Sequence, residues 1–167
     1  MRWLRRLRDR WRRRGIKRYP KRFVEGVNFE KIGGFLGFAC TYRLLGPYAM
    51  HTEFRPDHDI VGAHGLCGIR ADGWLWGASG YTWDGASTPA WDTPSVIRAS
   101  LVHDIPYQLL REMDLDAWDR APADRLLRRV MLEDGAWKWR AAYFEWGVRR
   151  FAAGAARARS AITGGTT

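Results

Sequence analysis

A chain of 167 residues, 46% hydrophobic and carrying ten Trp, six Tyr and seven Phe, is sized for one domain with a real core and is too apolar to be disordered throughout. No apolar run approaches the roughly 18 residues needed to cross a bilayer, and the longest candidate, around Phe35 to Cys40, is broken at Gly37. The net charge of +10 is concentrated: residues 1–22 hold twelve Lys and Arg against the single Asp9, and the sixteen basic and seventeen acidic residues that follow leave the body near neutral, which argues against a folded nucleic-acid-binding face.

In the first segment Trp3, Leu4, Leu7 and Trp11 recur at helical spacing while Arg5, Arg6, Arg8, Arg10, Arg12 and Arg13 fill much of the remaining surface. Residues 1–22 therefore read as a basic amphipathic arm, suited to an anionic membrane surface with the apolar side down and arginines among the headgroups. A solvated or nucleic-acid-binding tail, or a helix docked on its own domain, is the competing reading. The charged start lacks the apolar stretch of a secretory signal. Cys40 and Cys67 lie 27 residues apart with no CxxC, so neither zinc nor a redox motif is indicated and one disulfide stays open. These features predict a cytoplasmic protein with free thiols.

Residues 23–155 are expected to form a single α+β domain, with 156–167 a flexible tail. Between Gly33 and Trp83 glycines punctuate short strand-like runs at Phe38 to Leu45, His51 to Phe54 and Gly73 to Trp76, with turns at Gly46-Pro47, Arg55-Pro56-Asp57 and Ala71-Asp72-Gly73. A small antiparallel sheet in the N-terminal half follows. After Pro94 the apolar period becomes helical: Val96, Ile97, Ser100, Leu101, Asp104 and Leu109 to Leu110 predict one helix. Pro122 suits the first turn of a second that runs to about Glu133 and stops at Gly135, and an aromatic-rich third helix spans about Trp137 to Ala153. No internal repeat interrupts this order of strands first, helices second.

On the first helix Val96, Ser100, His103 and Tyr107 share a face, with Asp104 rotated about 100° from His103. On the second, Asp124 precedes Leu127 by three and Met131 by seven, which turns its carboxylate toward the apolar interior, where it needs a partner. His103 is a natural one: a carboxylate on one imidazole nitrogen fixes the tautomer and frees the other to take a proton from water, making a general base. Asp84, at a strand end, and Asp104 could offer hard oxygen ligands to calcium, with backbone such as that of Gly85 and water filling the shell. Each residue alone also has a structural reading, as a core histidine, a turn or a first-turn acid.

Together, Trp83 to Tyr107 with Asp124 behind them resemble the bacterial and fungal secreted phospholipase A2 pattern, in which Asp-Gly-Cys-Ser precedes an Ala-Cys-x-x-His-Asp-x-x-Tyr helix. The resemblance implies a phospholipase A2-like helix pair, with His103 as base, Asp124 orienting it, and Asp84 and Asp104 holding calcium; Tyr107 and Ser87 fall on the same pattern. The family's two cysteines of this stretch fall on Ala86 and Ser100, absent together, as suits a reducing compartment. Pro106 is a departure that removes an amide donor to Val102 and predicts a kink beside the base.

From about Gly80 to Phe151 the chain resembles a second group, the phage and prophage family called domain of unknown function 1353. It does so through Gly80-Tyr81-Thr82-Trp83-Asp84-Gly85-Ala86-Ser87-Thr88-Pro89, Ala99 to Tyr107, Arg120 to Asp124, Met131, Gly135 and the aromatic helix. The two resemblances imply a phage or prophage protein acting as a calcium-dependent, phospholipase A2-like lipid ester hydrolase at a membrane surface. The expected location is the host cytoplasm, peripheral at the inner membrane, or the virion. The alternative is a non-catalytic phage accessory or virion protein in which the polar cluster is a structural staple and the arm binds virion proteins or DNA. A metal-dependent phosphohydrolase ranks behind both, because His51, His58 and His64 lie in the strand-rich half.

Overall fold

The computed structural model describes residues 26–33, 41–85, 93–113 and 120–157. The arm at 1–22, Cys40, Ala86, Ser87 and most of the tail lie outside the described residues. Seven strands precede three helices: β1 (Phe29–Lys31), β2 (Thr41–Leu44), β3 (Tyr48–His51), β4 (Ile60–Val61), β5 (Cys67–Ile69), β6 (Trp74–Gly77), β7 (Thr82–Asp84), α1 (Pro94–Met113), α2 (Ala121–Glu133) and α3 (Lys138–Arg157). The α+β class holds, with the small antiparallel sheet present as two: β1-β2-β7 and β3-β6-β5-β4.

Aromatic side chains set the first sheet. Register places Phe29 opposite Leu44 and Tyr42 opposite Trp83, so the rings of Phe29, Tyr42 and Trp83 meet on one face with centroids 5.4 to 6.1 Å apart. In the second sheet β5 is buried along its whole length. Gly68 is required at its centre, because a Cβ there would stand 2.5 Å from the Ile60 carbonyl oxygen and 2.8 Å from the Trp76 ring. The predicted turn at Ala71 to Gly73 is present, with Gly73 at φ +93°.

One strand ends earlier than the sequence predicts. His51 to Phe54 reads as a strand, yet pairing stops at His51. The Thr52 amide still donates to the Gly73 carbonyl at 2.9 Å, and beyond it the Thr52 hydroxyl donates to the same carbonyl at 2.9 Å and accepts from the Phe54 amide at 3.3 Å, a side-chain arrangement that takes over where the ladder ends.

Helix α1 is the central element, packing on α2, β5, β6 and β7. Val96, Ile97, Leu101, Val102, Ile105 and Leu109 are fully buried along it, which accounts for the helical period legible after Pro94. Pro106 lies inside α1, which runs on through it to Met113. Helix α2 starts with Pro122 in its first turn and buries Leu126, Leu127, Val130 and Met131. It ends at Gly135 with φ +81°, where the Ala136 amide bonds to the Met131 carbonyl. Cys67 is a buried free thiol whose pKa burial and the Glu112 charge push up to about 11. No described helix is long and apolar enough to cross a membrane.

Candidate functional site

Three contacts bring β7, α1 and α2 to one place. The Trp83 indole on β7 donates to the Ser100 hydroxyl at 3.1 Å, and that hydroxyl donates to the Ile97 carbonyl at 3.0 Å. Ser100 thus pins β7 to α1 through its hydroxyl. The same pin carries Asp84, the residue after Trp83, to the flank of α1 that bears Asp104.

Three residues further along α1, His103 stacks on Tyr107 at i and i+4, with ring centroids 4.2 Å apart and planes 32° apart. Both reach the same atom. His103 Nε2 lies 3.1 Å from Asp124 Oδ1, and the Tyr107 hydroxyl donates to that oxygen at 2.8 Å. Asp124 is 3% exposed, so these two donors are what make its burial tolerable. A carboxylate only accepts, so the hydrogen of a neutral ring sits on Nε2 and the Nδ1 lone pair is left open.

That Nδ1 faces Asp104 Oδ1 at 3.5 Å, an electrostatic contact too long for a good hydrogen bond. Burial of the ring works against its charged form, but the Asp104 and Asp124 carboxylates outweigh burial and hold the His103 pKa above its ordinary value. Burial of Asp104 raises its own pKa and the nearby Asp84 adds to the rise, against the pull of His103 and Arg111. Burial and the bond to Asp124 together push the Tyr107 phenol up, so it stays a donor at every physiological pH.

His103 is buried at 7% exposure, while the Asp104 side chain is 28% exposed. Asp104, which faces Nδ1, is thus the more exposed of the pair. A pocket of about 100 Å³ opens on the same side of α1, with His64, Leu66, Cys67, Tyr81, Thr82 and Gln108 among its lining residues, the last one turn beyond Asp104. Its size suits a small group or a short chain segment.

The donor chemistry at Asp84 and Asp104 is oxygen only, which suits a hard cation. Burial is the main cause of the raised Asp104 pKa and the Asp84 charge adds to it, a repulsion that a cation would relieve. One Asp84 oxygen accepts from the Thr41 hydroxyl at 3.1 Å, and Gly85 is buried directly behind it. Among the described residues no third His, Cys, Asp or Glu joins them in a metal-holding group. Two carboxylates with backbone and water make a low-charge shell, consistent with weak binding in the range of about 10⁻⁴ to 10⁻³ M.

Of the residues singled out in the sequence, His103, Tyr107 and Asp124 are in direct contact, Asp104 touches His103 from the other side, and Asp84, at the end of β7, stands near Asp104 with Gly85 just past the strand. Ser87 lies outside the described residues. Thr41 was not foreseen as the partner of Asp84; it arrives by strand pairing from 43 positions away, where no local pattern points to it.

Residues 72–148 match the family model described as protein of unknown function (DUF1353), a span that holds every candidate site residue. No curated protein and no solved structure matches the chain.

Proposed function

We propose that the chain is a phospholipase A2-like hydrolase of lipid esters, with His103 as general base. The observation that carries this reading is a buried imidazole whose Nε2 is held by Asp124, while Nδ1 faces the partly exposed Asp104 at 3.5 Å. Asp124 and Tyr107 fix the ring and its tautomer. His103 Nδ1 takes a proton from a water, whose oxygen bonds to the ester carbonyl carbon. On collapse the ester C–O bond breaks, and the proton passes from His103 to the departing alkoxide, giving a carboxylic acid and an alcohol. Asp84 and Asp104, with backbone at Gly85, would hold calcium, which supplies a positive charge for the oxyanion. The arm at 1–22 would bring the protein to an anionic bilayer, at the inner membrane of a phage host or in the virion.

A second reading has an observation of its own. His103, Asp124 and Tyr107 are all buried, and a closed triad of this kind can simply staple α1 to α2 in a non-catalytic phage accessory protein. Incubating the purified protein with phosphatidylglycerol vesicles and millimolar calcium separates the two. Fatty acid release supports the hydrolase; vesicle binding with no release supports the staple.

The calcium site makes a separate expectation. Saturating calcium should raise the midpoint of heat unfolding by mass action, by about 3 kcal/mol at 100 times the dissociation constant, and Asp84→Asn should remove most of that rise. Asp84 is exposed, so the substitution itself should cost little stability. An unchanged midpoint in the wild-type protein would take the ion out of the account.

A further inference from the structure

Helix α3 has an outer face that is aromatic where a surface helix is ordinarily polar. Its inner side packs Ala141 and Phe144 into the core. On the other side Trp139, Tyr143 and Trp146, spaced by four and three, are 63%, 47% and 56% exposed, and Trp137, just ahead of the helix, is 72% exposed. Four large aromatic rings on one exposed ridge are far more than solubility tolerates without a purpose.

The exposed charges that α3 itself carries beside the ridge are basic. Lys138, Arg149 and Arg150 are exposed beside it. The helix has a single carboxylate, Glu145, which is buried and paired to Arg128 at 3.0 Å and to Arg149 at 2.9 Å.

The geometry points to this face of α3 as a docking surface for an anionic bilayer, with Trp139, Tyr143 and Trp146 at headgroup depth and Lys138 and Arg150 among the lipid phosphates. Trp and Tyr favour that depth because an apolar ring body and a polar N–H or O–H are satisfied there at once. A helix with aromatics and basic residues on one side lies in the interface plane. Stacking on nucleic-acid bases fits less well, since it needs free ring faces. Here Tyr143 and Trp146 stack on each other at 6.2 Å with planes 29° apart, and Trp137 meets Trp139 edge-on at 6.0 Å. This surface goes beyond the hydrolase reading, because none of its residues belongs to the His103 site and a non-catalytic protein could dock by it equally.

The test is partitioning of the full chain onto vesicles of equal phosphatidylglycerol and phosphatidylcholine, read by co-sedimentation and by quenching of Trp fluorescence with brominated lipid. The wild-type protein is expected to bind with strong quenching. The Trp139→Ser/Tyr143→Ser/Trp146→Ser variant alters exposed positions only and should keep the wild-type circular dichroism. Its binding should fall at least about tenfold at about 0.5 M salt, where screening removes most charge attraction. Trp139→Ser alone should give a smaller loss of binding and of quenching, and it serves if the triple variant does not fold. Lys138→Gln/Arg150→Gln should weaken binding at low salt and not at high salt. Wild-type binding kept by both aromatic variants overturns the proposal. So does a preference of the wild-type protein for single-stranded DNA over vesicles, or self-association that the aromatic variants abolish while vesicle binding persists. Hydrolysis of a soluble ester, which needs no bilayer, would be unaffected by any of these results.

Discussion

Asp124→Asn is expected to lower ester hydrolysis by a factor on the order of 10³ to 10⁴ while α1 and α2 stay packed. The size of the effect comes from the tautomer. Asp124 Oδ1 only accepts and so keeps the hydrogen on Nε2, whereas the asparagine amide can donate to Nε2 and drive the hydrogen to Nδ1, where it blocks the base. The surviving activity should carry a second mark. Hydrolysis by the wild-type protein should rise with pH as the imidazolium loses its proton. Because the Asp124 carboxylate is one of the charges that favour the imidazolium, its removal should move that rise to lower pH, measured at one fixed calcium concentration. The staple account gives a different outcome: a loss of about 1 to 3 kcal/mol in unfolding free energy, as for a broken buried hydrogen bond, and no activity to lose.

The second large effect is on stability and lies away from the site. Arg98 on α1 grips the end of α2 with two bonds to Asp134, Nε to Oδ2 at 2.9 Å and Nη2 to Oδ1 at 2.8 Å, and it reaches Glu133 at 3.0 Å. The Arg98 side chain is 13% exposed and that of Asp134 5%. Arg98→Ala would remove the two-pronged cation from a buried carboxylate, which should cost up to about 3 to 5 kcal/mol and lower the unfolding midpoint by about 10 °C. Arg98→Lys should recover little, because an ammonium cannot make the two-pronged contact. Urea unfolding followed by circular dichroism measures both, and a loss under about 1 kcal/mol would mean the pair behaves like an exposed one.

The helical half was legible because its apolar period survives in the fold: Val96, Ile97, Leu101 and Leu109 on α1 and Met131 on α2 have no exposure. His103, Tyr107 and Asp124 were legible for the same reason, since i, i+4 spacing and an inward-turned first-turn acid are local features. The strand half gave less. Thr52 reads as a strand residue and instead closes a turn through its hydroxyl, and the division into two sheets depends on pairings between distant segments that no short pattern encodes. Pro106 predicts a disturbance at the base, yet α1 passes through it and His103 still meets Asp124 at 3.1 Å. The pairing of Arg98 with Asp134, 36 positions apart, left no trace in the sequence pattern.

The central claim is that His103 moves the proton in ester hydrolysis. Its most direct test is fatty acid release from phosphatidylglycerol vesicles with millimolar calcium, by the wild-type protein and by His103→Gln side by side, with circular dichroism confirming that both are folded. The account predicts release by the wild-type protein and a His103→Gln rate indistinguishable from buffer. Equal rates for the two folded proteins, or no release by the wild-type protein, would contradict it.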